Sequence, residues 1–499
     1  MLVVPNAENT PEIETAPAAP PAGGALSQAQ RRAVGELLRV SSVAEDLAHR
    51  FSAAGHRLAL VGGSVRDALL GRLGNDLDFT TDARPEQILA LVRGWADAVW
   101  DVGIAFGTVG CQKAGADGEP LQLEITTYRS EAYDRTSRKP QVSYGDTLEG
   151  DLVRRDFTVN AMAVELPGIQ FVDPHHGLED LAAGVLRTPA APEDSFSDDP
   201  LRMMRAARFA AQLGFEVAPE VRAAMTGMAD RIDIVSAERV QAELNKLLLA
   251  PHPRAGLTLL VETGIAERVL PELPALRLTH DEHHRHKDVY EHTLTVLEQA
   301  IDLEEDGPDL VLRLSALLHD IGKPRTRRFE SDGRVSFHHH EVVGAKMTRS
   351  RMRKLKYSKE MVEEVSRLVE LHLRFHGYGT GEWTDSAVRR YVRDAGPLLS
   401  RLHKLTRSDC TTRNRRKAQA LSRAYDALEE RIAQLQEQEE LDSIRPDLDG
   451  NEIMTILGIA PGPEVGQAYK HLLELRLENG PMEHGAAVEA LKEWWANRS

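Results

Sequence analysis

The chain has little cysteine: two residues, Cys111 and Cys410, in a length of 499. Two thiols build no disulfide framework, which excludes a stapled secreted scaffold and fits a reducing, cytoplasmic setting. No apolar run approaches the ~20 residues that span a bilayer, so no membrane partner is expected. The opening MLVVPNAENT lacks the basic start and the apolar core of a signal peptide. Positive charge is also in deficit. Against 77 Asp and Glu stand 61 Lys and Arg, a formal net charge of −16. That excludes a uniformly basic nucleic-acid binder and leaves any RNA binding to local patches. The rest is ordinary globular composition, 42% hydrophobic and 28% charged, at a length that suggests about three or four domains.

Residues 1–27 are rich in Pro, Ala and Glu without period and read as a disordered tail. Apolar residues recur at helical spacing from Gln28 to Phe51. LALV (Leu58–Val61) reads as a buried strand ending in the Gly62-Gly63 turn, and VRDALLG as the helix it feeds. LDF and LQLEITTYR (Leu121–Arg129) alternate like strands. After Pro200 strand signals fade, and LRMMRAARFAAQLGF, ERVQAELNKLLL and LVLRLSALLHDIGK carry helical period. From Lys417 to about Asp442 a further helix spaces Leu421, Tyr425, Leu428, Ile432 and Leu435 as a heptad stripe. Such a stripe either packs on a neighbouring helix or dimerises, leaving monomer and dimer both open. The expected fold class is α+β: a mixed α/β region followed by a long helical body.

Within GGSVRDALLGRLGNDLDFTT (Gly62–Thr81), Asp76 and Asp78 project from one face of a strand while Leu77 and Phe79 bury on the other. Two carboxylates so close repel unless a cation holds them, and Mg²⁺ prefers such oxygens together with substrate phosphates. Gly62 and Gly63, between strand and helix, admit a phosphate to backbone N–H groups, and Arg66 adds a charged contact. Together these point to a nucleoside-triphosphate site. Glu124, on the alternating LQLEI strand, is either a third carboxylate or a solvent-facing residue.

This segment resembles the head motif of the bacterial class II tRNA nucleotidyltransferases, the CCA-adding enzymes and their poly(A) polymerase relatives. The likeness continues in order through RRDFTVNAMAV (Arg154–Val164), DPHHGLEDL (Asp173–Leu181), DDPLRMMRAARFAAQLGF (Asp198–Phe215) and ERVQAELNKLL (Glu238–Leu248). It implies a polymerase-β-like nucleotidyltransferase head over 28–190, a helical neck over 191–278, an HD domain over 279–416 and a helical tRNA-binding region over 417–499. It implies tRNA, CTP and ATP as partners. Asp199 and Arg202 match the pair that stands in for a template. The chemistry agrees: cytosine and adenine each present an amino donor beside a ring-nitrogen acceptor, which a carboxylate and a guanidinium complement, whereas uracil and guanine do not. Arg205 and Arg208 match nucleotide-contacting positions, and Arg155 and Asp156 match positions near the incoming sugar. The residue before Asp199 is Asp198 where the family usually has Glu.

His292, His319, Asp320, His340, His372 and Asp409 form a second constellation. Imidazoles with carboxylates suit a divalent metal such as Mn²⁺, Fe²⁺, Ni²⁺, Zn²⁺ or Mg²⁺. The series resembles the HD phosphohydrolases, which implies His292, His319, Asp320 and Asp409 as ligands, with His340 and His372 as the additional histidines of metal-rich members. Two basic clusters, RSRMRKLKYSK (Arg349–Lys359) and RLHKLTRSDCTTRNRRK (Arg401–Lys417), offer places for RNA phosphates or are solvated helix faces. The resemblance favours a template-independent CCA-adding enzyme. The alternatives are a poly(A) polymerase, whose Gly-Arg-Arg-Phe-like run is replaced here by DVGIAFGTVG (Asp101–Gly110), an HD phosphohydrolase with the head as a binding module, and a non-catalytic RNA-binding factor.

Overall fold

The computed structural model describes residues 28, 35, 42–72, 74–100, 107–115, 118–129, 144–277, 288–331, 335–377, 384–411, 415–439 and 444–498. The expected N-terminal tail, most of the Gln28–Phe51 helix before Ser42, and Asp101–Phe106 lie outside them. The chain divides into two compact units. One comprises residues up to Arg202 with Phe215–Ala224, the other Met203–Gly214 with Met225–Ser499.

The first unit is built on a seven-stranded sheet of β1 (Leu58–Val61), β2 (Asp76–Thr81), β3 (Ala98–Trp100), β4 (Thr108–Ala114), β5 (Pro120–Thr127), β6 (Ala163–Leu166) and β7 (Gln170–Val172), in the order β3-β4-β5-β2-β1-β6-β7. The pairing is antiparallel except between β2 and β5, which run parallel. All four residues of β1 are buried, as an unbroken apolar run predicts for a central strand. In β2, Asp76 is exposed while Leu77 and Phe79 are buried, the period-2 arrangement read from the sequence. Ala59, Val61, Tyr128, Leu148, Leu152 and Ala163 form a core on the sheet. Among the described residues, strand structure beyond Pro200 is confined to two-residue pieces: Glu216–Val217 paired with Val185–Leu186, and Arg328–Phe329 paired with Val335–Ser336.

The second unit is helical. Several of its helices start where short polar side chains cap them. Ser236 accepts from Arg239 N, Asp288 from Tyr290 N, Asp309 from Val311 N and Leu312 N, and Asp449 closes a capping box with Glu452. The helix Leu310–Leu318 is buried from Val311 onward, on every side. It is enclosed by the helices Val289–Asp302, Lys359–Leu371 and Leu399–Ser408. Its one guanidinium, Arg313, donates to both Glu304 oxygens and to the carbonyls of Leu248 and Ala250, so the buried charge is fully partnered. This placement carries His319 and Asp320, at its C-terminal end, into the middle of the unit.

The heptad stripe packs within the chain. In the helix Arg415–Glu439, Tyr425, Leu428, Ile432 and Leu435 are buried against the helices Asp385–Ala395 and Leu399–Ser408. The last three helices, Gly450–Leu457, Pro463–Asn479 and His484–Ala496, share a core of Leu448, Ile453, Ala468, Leu472, Ala487 and Leu491. Among the described residues no helix is long and apolar enough to cross a membrane.

Candidate active site and metal centre

In the first unit the Gly-Gly turn is required by the backbone. Gly62 has φ +70°, a conformation that L side chains rarely adopt. A Cβ there would lie 2.9 Å from Arg155 Nη1 and 3.7 Å from Asp78 Oδ2. Three residues far apart in sequence thus converge on one spot. Ser64, which sequence reasoning missed, ties the following helix to β2: its Oγ donates to Asp76 O (3.2 Å) and accepts from Asp78 N (3.0 Å). Its place directly after the two glycines was the available signal.

Parallel pairing of β2 and β5 sets Glu124 opposite Asp78, so Glu124 joins the carboxylate row. Burial, then the charges of Asp78 and Asp76, push its pKa above the ordinary carboxylate value. The all-oxygen donor set is of the kind that Mg²⁺ takes, although the three carboxylates do not here bring one oxygen each within 4.8 Å of one another.

Behind the row lies a buried polar network. Asp151 accepts from Thr80 Oγ1 (3.3 Å), Arg129 N (3.3 Å) and Arg155 Nη2 (3.2 Å), which aims the Arg155 guanidinium. Arg66 is buried and donates to both Asp67 oxygens and to Asn160 Oδ1 (2.6 Å). Asn160 in turn donates to Asp156 Oδ1 (3.0 Å). The sequence assigned Arg66 to the triphosphate. In the fold three of its nitrogens bind protein acceptors, and through Asn160 it positions Asp156. Asp151 and Asn160 were missed because their partners come from remote segments.

Asp199 ends the helix Pro192–Asp198, and its carboxylate accepts from Leu201 N (3.1 Å). Arg202 donates to Ser195 Oγ (2.8 Å) and to Arg154 O (2.6 Å), so its guanidinium is held in place. In the second unit, Arg205 lies over the Phe209 ring. Arg208, expected as a nucleotide contact, is buried and donates to Glu243 Oε2 (2.6 Å) and Gln212 Oε1 (2.9 Å). The partner that a cation on this helix requires is supplied by the protein. Arg208→Met is accordingly expected to destabilise the fold by about 3 kcal/mol by stranding Glu243, and Glu243→Leu added to it to recover most of that loss. Urea denaturation of the two variants checks this. Unchanged stability with a raised nucleotide KM would restore the contact role.

The second unit gathers all six members of the other constellation. They form two trios, His292–His319–Asp409 and Asp320–His340–His372, each with ligand atoms within 4.8 Å of one another. Among the described residues no other group of three does so. The sequence ranked His340 and His372 as additions to a four-residue set, whereas the fold makes them equal members of the second trio. Asp320 faces both trios. Its Oδ2 lies 3.2 Å from His319 Nε2 and 3.5 Å from His292 Nε2, and its Oδ1 lies 3.2 Å from His340 Nε2. Lys323 Nζ is 2.5 Å from the same Oδ2.

The tautomers are set by the helix ends. His319 Nδ1 pairs with Ala316 O (2.8 Å), His340 Nδ1 with Phe337 O (2.8 Å) and His372 Nδ1 with Val369 O (2.6 Å), each three residues back. A carbonyl only accepts, so Nδ1 carries a proton and Nε2 faces inward, offering a lone pair whenever the imidazole is neutral. Those three Nε2 atoms and Asp320 Oδ1 are buried, and although His319 and His340 approach the Asp320 carboxylate to 3.2 Å, none of the four makes a well-directed hydrogen bond. Burial and the neighbouring His319 depress the His372 pKa to about 3, which keeps its imidazole neutral. Burial opposes charge on His319 too, but Asp320 and Asp409 outweigh it and hold its pKa above the usual value. For Asp320, burial is overcome by His319 and Lys323, and its pKa lies well below the usual one. Orphaned, buried, ligand-competent nitrogens beside ionised carboxylates fit a divalent metal.

The basic clusters resolve differently. In the second, Arg401 pairs with Asp309, Lys404 with Glu305, and Arg407 with Asp426 and Glu429; residues 412–414 lie outside the described set. In the first, Arg349 and Arg353 pair with Glu363, and Arg351 with Glu272.

A mixed sheet bearing a carboxylate row beside a glycine turn defines a nucleotidyltransferase head, here in one chain with an HD-type cluster of candidate metal ligands. Family models agree: a Poly A polymerase head domain matches residues 58–187, a region described as a probable RNA and SrmB-binding site of polymerase A matches 214–276, and an HD domain matches 289–414. The chain is 37% identical over 427 residues to the A-adding tRNA nucleotidyltransferase of Deinococcus radiodurans, spanning 84% of this chain and 91% of that protein. It is 34% identical over 429 residues to the CC-adding tRNA nucleotidyltransferase of Thermus thermophilus, spanning 84% and 89%. The crystal structure of the Bacillus stearothermophilus CCA-adding enzyme in complex with CTP shares the fold, with a TM-score of 0.65 at 24% identity over 91% of this chain and 97% of that one. The chain belongs to the CCA-adding tRNA nucleotidyltransferase family. Enzymes of the nucleotidyltransferase and HD classes use divalent metals.

Proposed function

We propose that the protein completes tRNA 3′ ends, adding C, C and A from CTP and ATP without a nucleic-acid template. The observation that carries this is the convergence of Gly62, Arg155 and Asp78 beside the Asp76–Asp78–Glu124 row. Asp76, Asp78 and Glu124 would hold Mg²⁺, which when bound supplies Lewis acidity and neutralises phosphate charge. The Gly62–Gly63 turn leaves room for the triphosphate, and Arg155, aimed by Asp151, contributes charge to it. Asp156, held by Asn160, faces the sugar. Asp199 and Arg202 read the base edge: the carboxylate accepts from the amino group shared by cytosine and adenine, and the guanidinium donates to the ring nitrogen. Cys111 and Cys410, both free, fit a cytoplasmic enzyme.

A primer-extension assay tests the reading. Transcripts ending before CCA, after C and after CC are offered each NTP singly and together. Extension that stops at CCA supports it. Addition of A alone to the CC end, or of CC alone, would narrow it to a partial adder like the Deinococcus or Thermus relative. A ladder of A residues would overturn it in favour of a poly(A) polymerase.

A second reading has its own observation, the four orphaned ligand atoms of the HD centre. We propose that this centre is a phosphohydrolase of phosphomonoesters or cyclic phosphates. Its six residues would hold Mn²⁺, Fe²⁺, Ni²⁺, Zn²⁺ or Mg²⁺, which when bound supplies a more acidic water.

A further inference from the structure

On the second unit, the segment after Asp320, the helix His340–Lys354 and the Pro271–Ala275 stretch enclose an open groove of about 450 Å³. Its floor is apolar, from Ile321, Pro324, Val343 and Met347. Its rim carries Arg325, Lys346 and Lys354, all exposed. None of the three has a carboxylate within ion-pair distance among the described residues. Their neighbours Arg349 and Arg353 do, on the helix Lys359–Leu371. The one carboxylate in the groove, Glu272, is taken by Arg351 at 2.8 Å. In a chain of net charge −16, three cations along one rim with no carboxylate partner among the described residues are selective for an anion.

Lys346 and Lys354 are eight residues apart on one helix, about 12 Å along its axis. That is too long to clamp one phosphate and suits successive phosphates of a strand. The floor between the cations is aliphatic and carries no aromatic ring for a base to stack on, so the charges on the rim, which meet phosphates, carry the recognition. One wall, Pro271–Ala275, falls inside the stretch matched by the RNA-binding family model.

We propose that this groove binds the phosphodiester backbone of RNA, a site distinct from the head that helps retain the tRNA; the proposal rests on the tRNA reading above. The test measures anisotropy of a labelled tRNA transcript lacking CCA, from about 50 to 200 mM salt, with wild type, Lys346→Gln/Lys354→Gln, and the triple variant adding Arg325→Gln. The double variant should weaken binding roughly 10-fold at low salt and flatten the log Kd against log salt slope by between 1 and 2, since each phosphate contact contributes about 0.7 to 0.9. The triple should flatten it further. Melting temperatures should not change, because these side chains are exposed. An unchanged slope in the triple variant would overturn the proposal. So would loss of binding to a polyglutamate peptide with RNA binding intact, which would assign the groove to an acidic protein. If the wild type bound tRNA through the groove yet extended no transcript, the enzymatic reading would fail and the groove would stand.

Discussion

Asp76→Ala is expected to lower nucleotide incorporation into a tRNA transcript on the order of 10³-fold, with the loss in kcat. Asp76 lies exposed at the start of β2, opposite the buried Leu77 and Phe79, so its removal takes away a charge and leaves the packing intact. Melting temperature and tRNA affinity should therefore hold. Asp78→Asn should act as strongly, since Asp78 faces Gly62 and its N–H is fixed by Ser64. Glu124→Gln should cost less, because two carboxylates remain, and the loss should shrink as Mg²⁺ is raised. Single-turnover extension of a CC-ending transcript with ATP separates these cases. Full activity in Asp76→Ala would remove the carboxylate row from the reaction.

The second large effect belongs to the HD centre. His292→Ala should weaken divalent metal binding by about 10²-fold or more and abolish phosphate release from p-nitrophenyl phosphate or a 2′,3′-cyclic nucleotide, leaving CCA addition unchanged. His292 is chosen because it is partly exposed and its Nδ1 contacts Thr411 Oγ1 (3.0 Å); the fully buried His372 carries a packing cost as well. Metal analysis of the purified protein provides the readout independent of turnover. Metal uptake must displace the proton that Asp320 and Asp409 stabilise on His319 against its burial, so affinity should fall as the pH is lowered through the His319 titration. Wild-type protein that takes up no divalent metal would overturn the assignment.

Much of this was legible in one dimension. The period-2 spacing of Asp76 and Asp78 forces both to one side of a strand. The turn glycines follow from the change from strand to helix, and an adjacent His319-Asp320 at the end of an apolar helix marks a buried polar pair. The Arg415–Glu439 stripe was legible as a stripe, but its cover was not, since either a neighbouring helix or a second chain satisfies the same spacing.

Other features depend on which segments pair. Glu124 became a partner of Asp78 through the parallel register of β2 and β5, and strand alternation alone says nothing about the neighbouring strand. Arg66 and Arg208, expected as contacts to substrate, have protein partners from remote segments, Asn160 and Glu243. The groove cations stood out for the same reason in reverse: a lysine is unpaired only when no carboxylate from another element reaches it.

The sequence by itself determined the chemistry, because residue type and short spacing set which groups share a face and what they can bind. The tertiary structure decided the groupings, dividing six metal-ligand candidates into two trios around Asp320 and giving Arg66 and Arg208 partners within the protein. The physical reason is range: backbone periodicity acts over a few residues, whereas burial, charge pairing and pKa depend on side chains brought together from distant parts of the chain.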